Sequence, residues 1–357
     1  MTHQLTVTKS GHNINLAFME CFTSCVLTYL NINGKDYRRV LLDYWNLSYQ
    51  YKTLLSGKDA RQLPLEFLYG IKLKFFKGDV ESLRRCVQDG SSAICLGAAS
   101  KLRYFPREYL GMESSGFQHS ILIYGWNEEH LEYLVTDPMV DAVVNISPKE
   151  IVHACEVRAG RQELHYFILE ESNSPFEEPD LESCLAYCSY RNLSFYKNRG
   201  GSKTEPLASV PDQSQEQRKS AWREWFSNRH GGYRSLEIFE EDLVKSQEWA
   251  PPRRADWVSR NTMTISSIKR IRAMVWNAYR ESASLEESQY HEGQRQIDSI
   301  LAMWNAVSLH LLKYKSGQIV IPAISKQLEK LKHAELQFLE WLHLAAGKGE
   351  YHGPEHG

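Results

Sequence analysis

Apolar and polar positions recur with two different periods along the chain, and the change of period divides it. Over residues 21–31 the apolar side chains fall at Cys21, Cys25, Val26, Tyr29 and Leu30. That three- and four-residue spacing predicts a helix with one buried face, and Gly34 stands where such a helix would stop. Farther on the pattern turns strand-like. Ser92–Leu96, Ser120–Tyr124, Leu131–Val135 and Leu164–Leu169 are short runs rich in apolar and aromatic residues. Leading helical segments followed by clustered strands predict an α+β domain with a mostly antiparallel sheet. From Gln217 onward the helical period returns. Ile265–Tyr279, Gln294–Tyr314 and Ile324–Leu344 each carry apolar residues at helical spacing, which predicts an all-α domain of about four or five helices.

Between the two patterns lies Ser172-Asn173-Ser174-Pro175-Phe176-Glu177-Glu178-Pro179-Asp180, a Pro-, Ser- and acid-rich stretch with linker composition. Asn198–Glu216, with Gly200, Gly201, Pro206 and Pro211, is a second weakly patterned segment. The expected organisation is therefore a domain over residues 1–171, a linker and flexible segment over 172–216, a helical domain over 217–346, and a frayed tail over 347–357. A length of 357 residues fits two domains at about 150 residues each.

Charge narrows the function classes. Lys and Arg number 42 against 44 Asp and Glu, a formal net charge of −2, so no strong pull toward nucleic acid or an acidic membrane is expected. No apolar run approaches the roughly 18 residues that span a bilayer. Leu16–Leu30 comes nearest to a signal-peptide core, but Glu20 interrupts it and it reads as a buried helix. Seven cysteines, an odd number, point to a reducing compartment and a cytoplasmic protein. The sequence carries no phosphate-cradling loop, dinucleotide fingerprint or His-Glu-x-x-His metal motif. Cys21 and Cys25 lack the second ligand pair of a structural zinc site, so no metal is expected.

One constellation carries chemistry. If Ser120–Gly125 and Leu131–Thr136 pair around a loop centred on Glu128, His119 and Asp137 lie directly opposite one another on one face. A carboxylate holding an imidazole is two-thirds of a nucleophilic triad. Cys21 is the candidate third member because it opens a helix, whose positive end favours a thiolate. Its backbone N–H with Asn15, or alternatively Asn13, would complete an oxyanion hole.

The residues that carry these roles also resemble a known pattern. Glu20-Cys21-Phe22-Thr23-Ser24-Cys25-Val26-Leu27-Thr28-Tyr29-Leu30-Asn31-Ile32-Asn33-Gly34 resembles the opening motif of the papain-like, bacteriocin-processing (C39-type) cysteine peptidases. Gln118-His119-Ser120-Ile121-Leu122-Ile123-Tyr124-Gly125-Trp126 and Tyr133-Leu134-Val135-Thr136-Asp137-Pro138 resemble that class's His strand and Asp-Pro strand end. The arrangement is more specifically similar to the butirosin-biosynthesis protein H family, which joins such a domain to a helical one. Gly231-Gly232-Tyr233 opening a helix and Trp304 in a long amphipathic one fit that second half. The peptidases carry Gln six residues before the Cys and Gly directly after it, where this chain has Asn15 and Phe22.

The resemblance implies Cys21 as nucleophile, His119 as general base and Asp137 as orienting acid. It implies a cysteine acyltransferase that uses no bound cofactor. An acyl group would pass from the phosphopantetheine thioester of an acyl carrier protein, through acyl-Cys21, to a small-molecule amine acceptor in antibiotic-type biosynthesis. A peptidase, amidase or thioesterase of the same fold, and a non-catalytic binding protein with a papain-like shell, are the alternatives. Lys72, Lys74, Lys77, Arg84 and Arg85, interleaved with Leu73, Phe75 and Phe76, form a basic run that reads either as a solvated strand edge or as a docking surface for the acidic carrier.

Overall fold

The computed structural model describes residues 11–17, 20–56, 63–107, 119–157, 162–171, 176–197, 230–318 and 320–346. In chain order its elements are α1 (Cys21–Ile32), α2 (Arg38–Leu42), β1 (Leu47–Gln50), β2 (Thr53–Ser56), α3 (Leu63–Tyr69), β3 (Ile71–Gly78), α4 (Val80–Gln88), β4 (Ser92–Gly97), β5 (His119–Asn127), β6 (Glu132–Asp137), β7 (Ala142–Ile146), α5 (Pro148–Cys155) and β8 (Leu164–Glu171). There follow α6 (Leu181–Lys197), β9 (His230–Gly231), α7 (Gly232–Lys245), α8 (Pro251–Ser282), α9 (Glu287–Lys315) and α10 (Ile321–Ala346). The chain divides into two compact units. The first is Met1–Val40 with Arg61–Glu178; the second is Leu41–Ala60 with Pro179–Gly357.

The first unit is built on a six-stranded sheet in the order β3-β8-β4-β5-β6-β7, antiparallel at every pairing. This is the expected α+β arrangement. Because strand side chains alternate between faces, Ile121, Ile123, Val135, Val144, Tyr166 and Ile168 lie on one face. There they form a core with Leu83 and Val87 of α4 and Ile151 and Ala154 of α5. The other face takes α1. Phe22 meets Phe167 edge-on at 4.9 Å, the Tyr29 hydroxyl bonds Glu171 at 3.3 Å, and the Cys25 thiol bonds the Ser120 carbonyl at 3.5 Å.

Helix α1 is buried all round, from Cys21 through Leu30, not on the single face that its apolar spacing predicts. The reason lies in its polar residues, which serve as acceptors for the segment before it. Leu16 N–H bonds Ser24 Oγ at 3.0 Å and Ile14 N–H bonds Thr28 Oγ1 at 2.9 Å. Burial of these hydroxyls is thereby satisfied. The helix ends where the sequence predicts: Gly34 takes a φ of 69°, its N–H bonds Asn31 O, and Lys35 N–H bonds Leu30 O, the paired bonds of a Schellman motif.

The second unit is helical, with a small three-stranded sheet in the order β2-β1-β9. Two features depart from the expected organisation. Leu41–Ala60 belongs with the helices and not with residues 1–171. The β1–β2 hairpin presents an aromatic and backbone groups that only the helices satisfy. Tyr49 OH bonds Asp242 at 2.8 Å and receives Trp257 Nε1–H at 3.1 Å, and Leu54 N–H bonds Asn261 Oδ1 at 2.9 Å. Within the expected linker, Leu181–Lys197 is a helix that buries Cys184, Leu185 and Cys188. Helical spacing there outweighs the loop composition that precedes it. The expected segments 265–279, 294–314 and 324–344 fall inside α8, α9 and α10. Gly232 opens α7 with a φ of 53°; a Cβ there would sit 2.5 Å from the Phe195 carbonyl oxygen. The weakly patterned 198–216 segment, the 347–357 tail and Gln118 lie outside the described residues.

Candidate active site

The first residue of β5 and the last of β6 lie at one end of the sheet. His119 Nε2 and Asp137 Oδ2 are 2.6 Å apart, with the two side chains 1% and 0% exposed. The pairing that produces this contact differs from the expected one. Gly125 pairs with Leu134 and Asn127 with Glu132, three positions later than a loop centred on Glu128 would give. An odd shift would place the two residues on opposite faces. A β-bulge between Ile123 and Gly125 removes one position, so Leu122 faces Thr136 and the shift becomes even. His119 and Asp137 therefore share a face as diagonal neighbours, not as directly opposed ones, and the ring spans the remaining distance.

The environment favours the charged form of His119. Burial works against a protonated imidazole, but the Asp137 carboxylate outweighs it through charge and hydrogen bond. Together with a smaller contribution from the Cys21 thiol, it pushes His119 up to about 10. Asp137 is itself held on both oxygens: Met139 N–H bonds Oδ1 at 3.0 Å, and Tyr104 O–H bonds Oδ2 at 3.1 Å. Phe105 lies edge-on to the His119 ring at 4.8 Å. The other ring nitrogen, Nδ1, is buried and meets no hydrogen-bond partner in ordinary geometry.

Cys21 begins α1 and is 5% exposed. Its thiol bonds Ser120 Oγ at 3.6 Å, which brings the helix start beside the residue that follows His119. Ser120 and His119 alternate to opposite sides of β5, and the link from Cys21 to the His119 ring is the thiol's own hydrogen-bond and charge contribution to that imidazole. Cys25, one turn on, is buried and its thiol is pushed far up, first by burial and then by Asp137 and Cys21; it packs beneath the site as a neutral thiol. Cys95 and Cys155 are likewise buried, with Cys155 pushed up to about 12 by burial.

The two upstream asparagines are both hydrogen-bonded to the segment around the end of β6. Asn13 is committed at both ends, its Nδ2 to Asp141 at 3.1 Å and its Oδ1 to the Thr136 hydroxyl at 2.5 Å. Asn15 donates to the Met139 carbonyl at 3.2 Å, in the turn whose N–H holds Asp137. The basic run is distributed over β3 and α4. Strand alternation puts Lys72 and Lys74 on one face of β3 and Lys77 on the other. Lys74 is paired with Glu170. Arg84 pairs with Glu81 at 2.5 Å and lies over the Trp126 ring at 5.7 Å, and Arg85 is exposed.

Sequence reasoning misses Tyr104, Ser120 and the Met139 backbone. Tyr104 sits in an irregular segment with no period to mark it, and a backbone donor leaves no trace in residue type. Among the described residues no three His, Cys, Asp or Glu side chains converge as a metal site needs, and no helix is long and apolar enough to cross a membrane. Compared with known proteins, the chain matches no protein-family model, and no curated protein matches it.

Proposed function

We propose that the first unit is a papain-like cysteine acyltransferase domain, with Cys21 as nucleophile, His119 as general base and acid, and Asp137 as the group that orients the ring. The observation that carries this reading is the buried 2.6 Å contact between His119 Nε2 and Asp137 Oδ2. With the pKa of His119 pushed up to about 10, the ring holds protons on both nitrogens at neutral pH. One N–H is given to Asp137 at 2.6 Å, while the buried Nδ1–H meets no acceptor in ordinary geometry. A buried donor without an acceptor is costly. The sulfur of Cys21, once ionised, supplies that acceptor, and the helix start beneath it adds the positive end of the α1 dipole.

The chemistry then follows in two steps. The thiolate attacks the carbonyl carbon of a thioester; the tetrahedral oxygen collapses, the donor's C–S bond breaks, and the leaving thiolate takes a proton from His119. An amine next attacks the acyl-Cys21 carbonyl and gives its proton to His119, and the C–S bond to Cys21 breaks to return the thiolate. The near-complete burial of Cys21, His119 and Asp137 supports transfer over hydrolysis, because an acyl-enzyme shielded from water survives until an amine arrives. The donor is read as an acyl carrier protein thioester and the setting as cytoplasmic, which the seven free thiols support.

Two measurements test the reading. Iodoacetamide at neutral pH should modify Cys21 well ahead of the partly exposed Cys86, as located by mass spectrometry. Incubation with an acyl-pantetheine thioester should leave an acyl mass on the wild-type chain and none on Cys21→Ala. Equal alkylation of Cys21 and Cys86 removes the catalytic reading; acyl turnover to free acid with every amine offered replaces transfer by hydrolysis.

A further inference from the structure

Resting on that reading, we propose that Tyr104 and Asn15 are positioning residues, which fix the Asp137 carboxylate by its two separate oxygens and so set how strongly it holds His119. The Tyr104 hydroxyl donates to Oδ2 at 3.1 Å, the same oxygen that faces His119 Nε2 at 2.6 Å. On the other side the Asn15 amide donates to the Met139 carbonyl at 3.2 Å, and the N–H of that residue donates to Oδ1 at 3.0 Å. The carboxylate is thus pinned in rotation about its own axis by a tyrosine from the segment after β4 and by a turn that the chain's N-terminal segment holds in place.

The arrangement gives each residue a definite job. A carboxylate that rotates or withdraws by a fraction of an ångström loses the short bond to Nε2, and the imidazolium loses its main support. Tyr104 remains a neutral donor throughout, because burial and the adjacent Asp137 both push its hydroxyl far up. Asn15 acts on the carboxylate through the Met139 backbone, whose carbonyl it holds and whose N–H holds Oδ1. This role separates it from the oxyanion donor that its place six residues before Cys21 predicts. An oxyanion donor contacts the carbonyl oxygen of a substrate, whereas Asn15 serves the acid.

That difference makes the test clean, since alkylation by iodoacetamide forms an S–C bond and expels iodide without building any oxyanion. Full-length wild type, Tyr104→Phe and Asn15→Ala are treated with iodoacetamide at neutral pH, with Cys86 as internal reference. In parallel, the downfield ring N–H proton resonance of His119 is recorded by NMR. Each variant should slow Cys21 alkylation about tenfold, the lower end of what outer partners of a reactive group contribute, and should move the His119 resonance while Cys86 reacts as before. If Asn15→Ala does not fold, Asn15→Asp, which keeps the volume and removes the amide donor, takes its place with the same expectation. A wild-type Cys21 no faster than Cys86 removes the reading of the site and the proposal together. A fast wild-type Cys21, with alkylation within twofold and an unmoved resonance in the variants, overturns the proposal alone. Slowed acyl transfer in Asn15→Ala with unchanged alkylation returns Asn15 to the oxyanion role and likewise overturns its half.

Discussion

Each unit of this protein buries an acid–base pair almost completely, and the two pairs are finished differently. In the helical unit, Arg272 gives Nε–H to Glu335 Oε1 at 2.9 Å and Nη2–H to Oε2 at 3.1 Å. Its Nη1–H goes to the Trp45 carbonyl at 2.7 Å. Trp304 Nε1–H adds a second bond to Oε1 at 2.8 Å, and the guanidinium lies 4.2 Å over the Trp45 ring. Both charges are 0% exposed. In the sheet unit the carboxylate of Asp137 is equally well supplied, but its partner His119 keeps a buried nitrogen with no partner in ordinary geometry. The lesson is that burial and charge alone do not mark a reactive site. A guanidinium cannot exchange its proton near neutrality, and here every donor that faces the acid is used. An imidazole can exchange, and here one of its nitrogens is buried outside the carboxylate pair.

The sharpest way to break the contrast is to unpair the saturated side. Arg272→Met leaves Glu335 buried without its cation and should destabilise the helical unit by about 3–5 kcal/mol, seen as a large drop in the urea midpoint. Arg272→Met with Glu335→Leu should recover most of that loss, because no charge is then left stranded. A double variant as weak as the single one would mean that the pair does more than fill and match its surroundings.

On the other side, Asp137→Asn removes the carboxylate that holds the ring and should cost reactivity. Cys21 alkylation at neutral pH should fall about a hundredfold, in the range that general acid–base partners supply. The same substitution should alter how stability depends on pH. His119 in the folded chain is pushed up to about 10 from an ordinary 6.5, so the folded state binds its proton more tightly than the unfolded one. The stabilisation is complete below about 6.5 and is lost as pH rises through about 10. The unfolding midpoint of the wild type, less that of Asp137→Asn, should therefore shrink across that window. A difference that stays flat from pH 6 to 10 would mean that the buried pair is not charged in the folded protein.

How much of this was legible in the sequence differs between the two pairs for a physical reason. The sheet site is local. His119 and Asp137 flank one hairpin, so alternation brought them to one face, and Cys21 announced itself at the start of a helix closed by Gly34. What the residues could not convey was the register, since the bulge between Ile123 and Gly125 depends on how the hairpin packs and not on any turn residue. Tyr104 was invisible for a similar reason, since its hydroxyl matters only because an irregular segment returns to the strand ends. The Arg272–Glu335 pair lies on two helices 63 residues apart, where a charge inside a long amphipathic helix looks like part of a solvated face. The place of Leu41–Ala60 in the helical unit was hidden likewise, because a short hairpin carries no mark of what it will pack against.

A smaller experiment sharpens the contrast by removing one hydrogen bond from each side. Trp304→Phe deletes the Nε1–H that reaches Glu335 Oε1 and leaves that oxygen with the Arg272 bond. A lost bond to a charged acceptor is worth about 1.5–3 kcal/mol, and the remaining partner should keep the measured cost near the lower end. Cys21 alkylation should stay as in wild type, because nothing in the saturated pair is reactive. Tyr104→Phe deletes the matching bond to Asp137 Oδ2, and there the order of effects should reverse, with a modest change in the urea midpoint and a clear change in thiol reactivity. If Trp304→Phe slowed the thiol as much as Tyr104→Phe does, the division between a pair that holds the fold and a pair that prepares a nucleophile would fall.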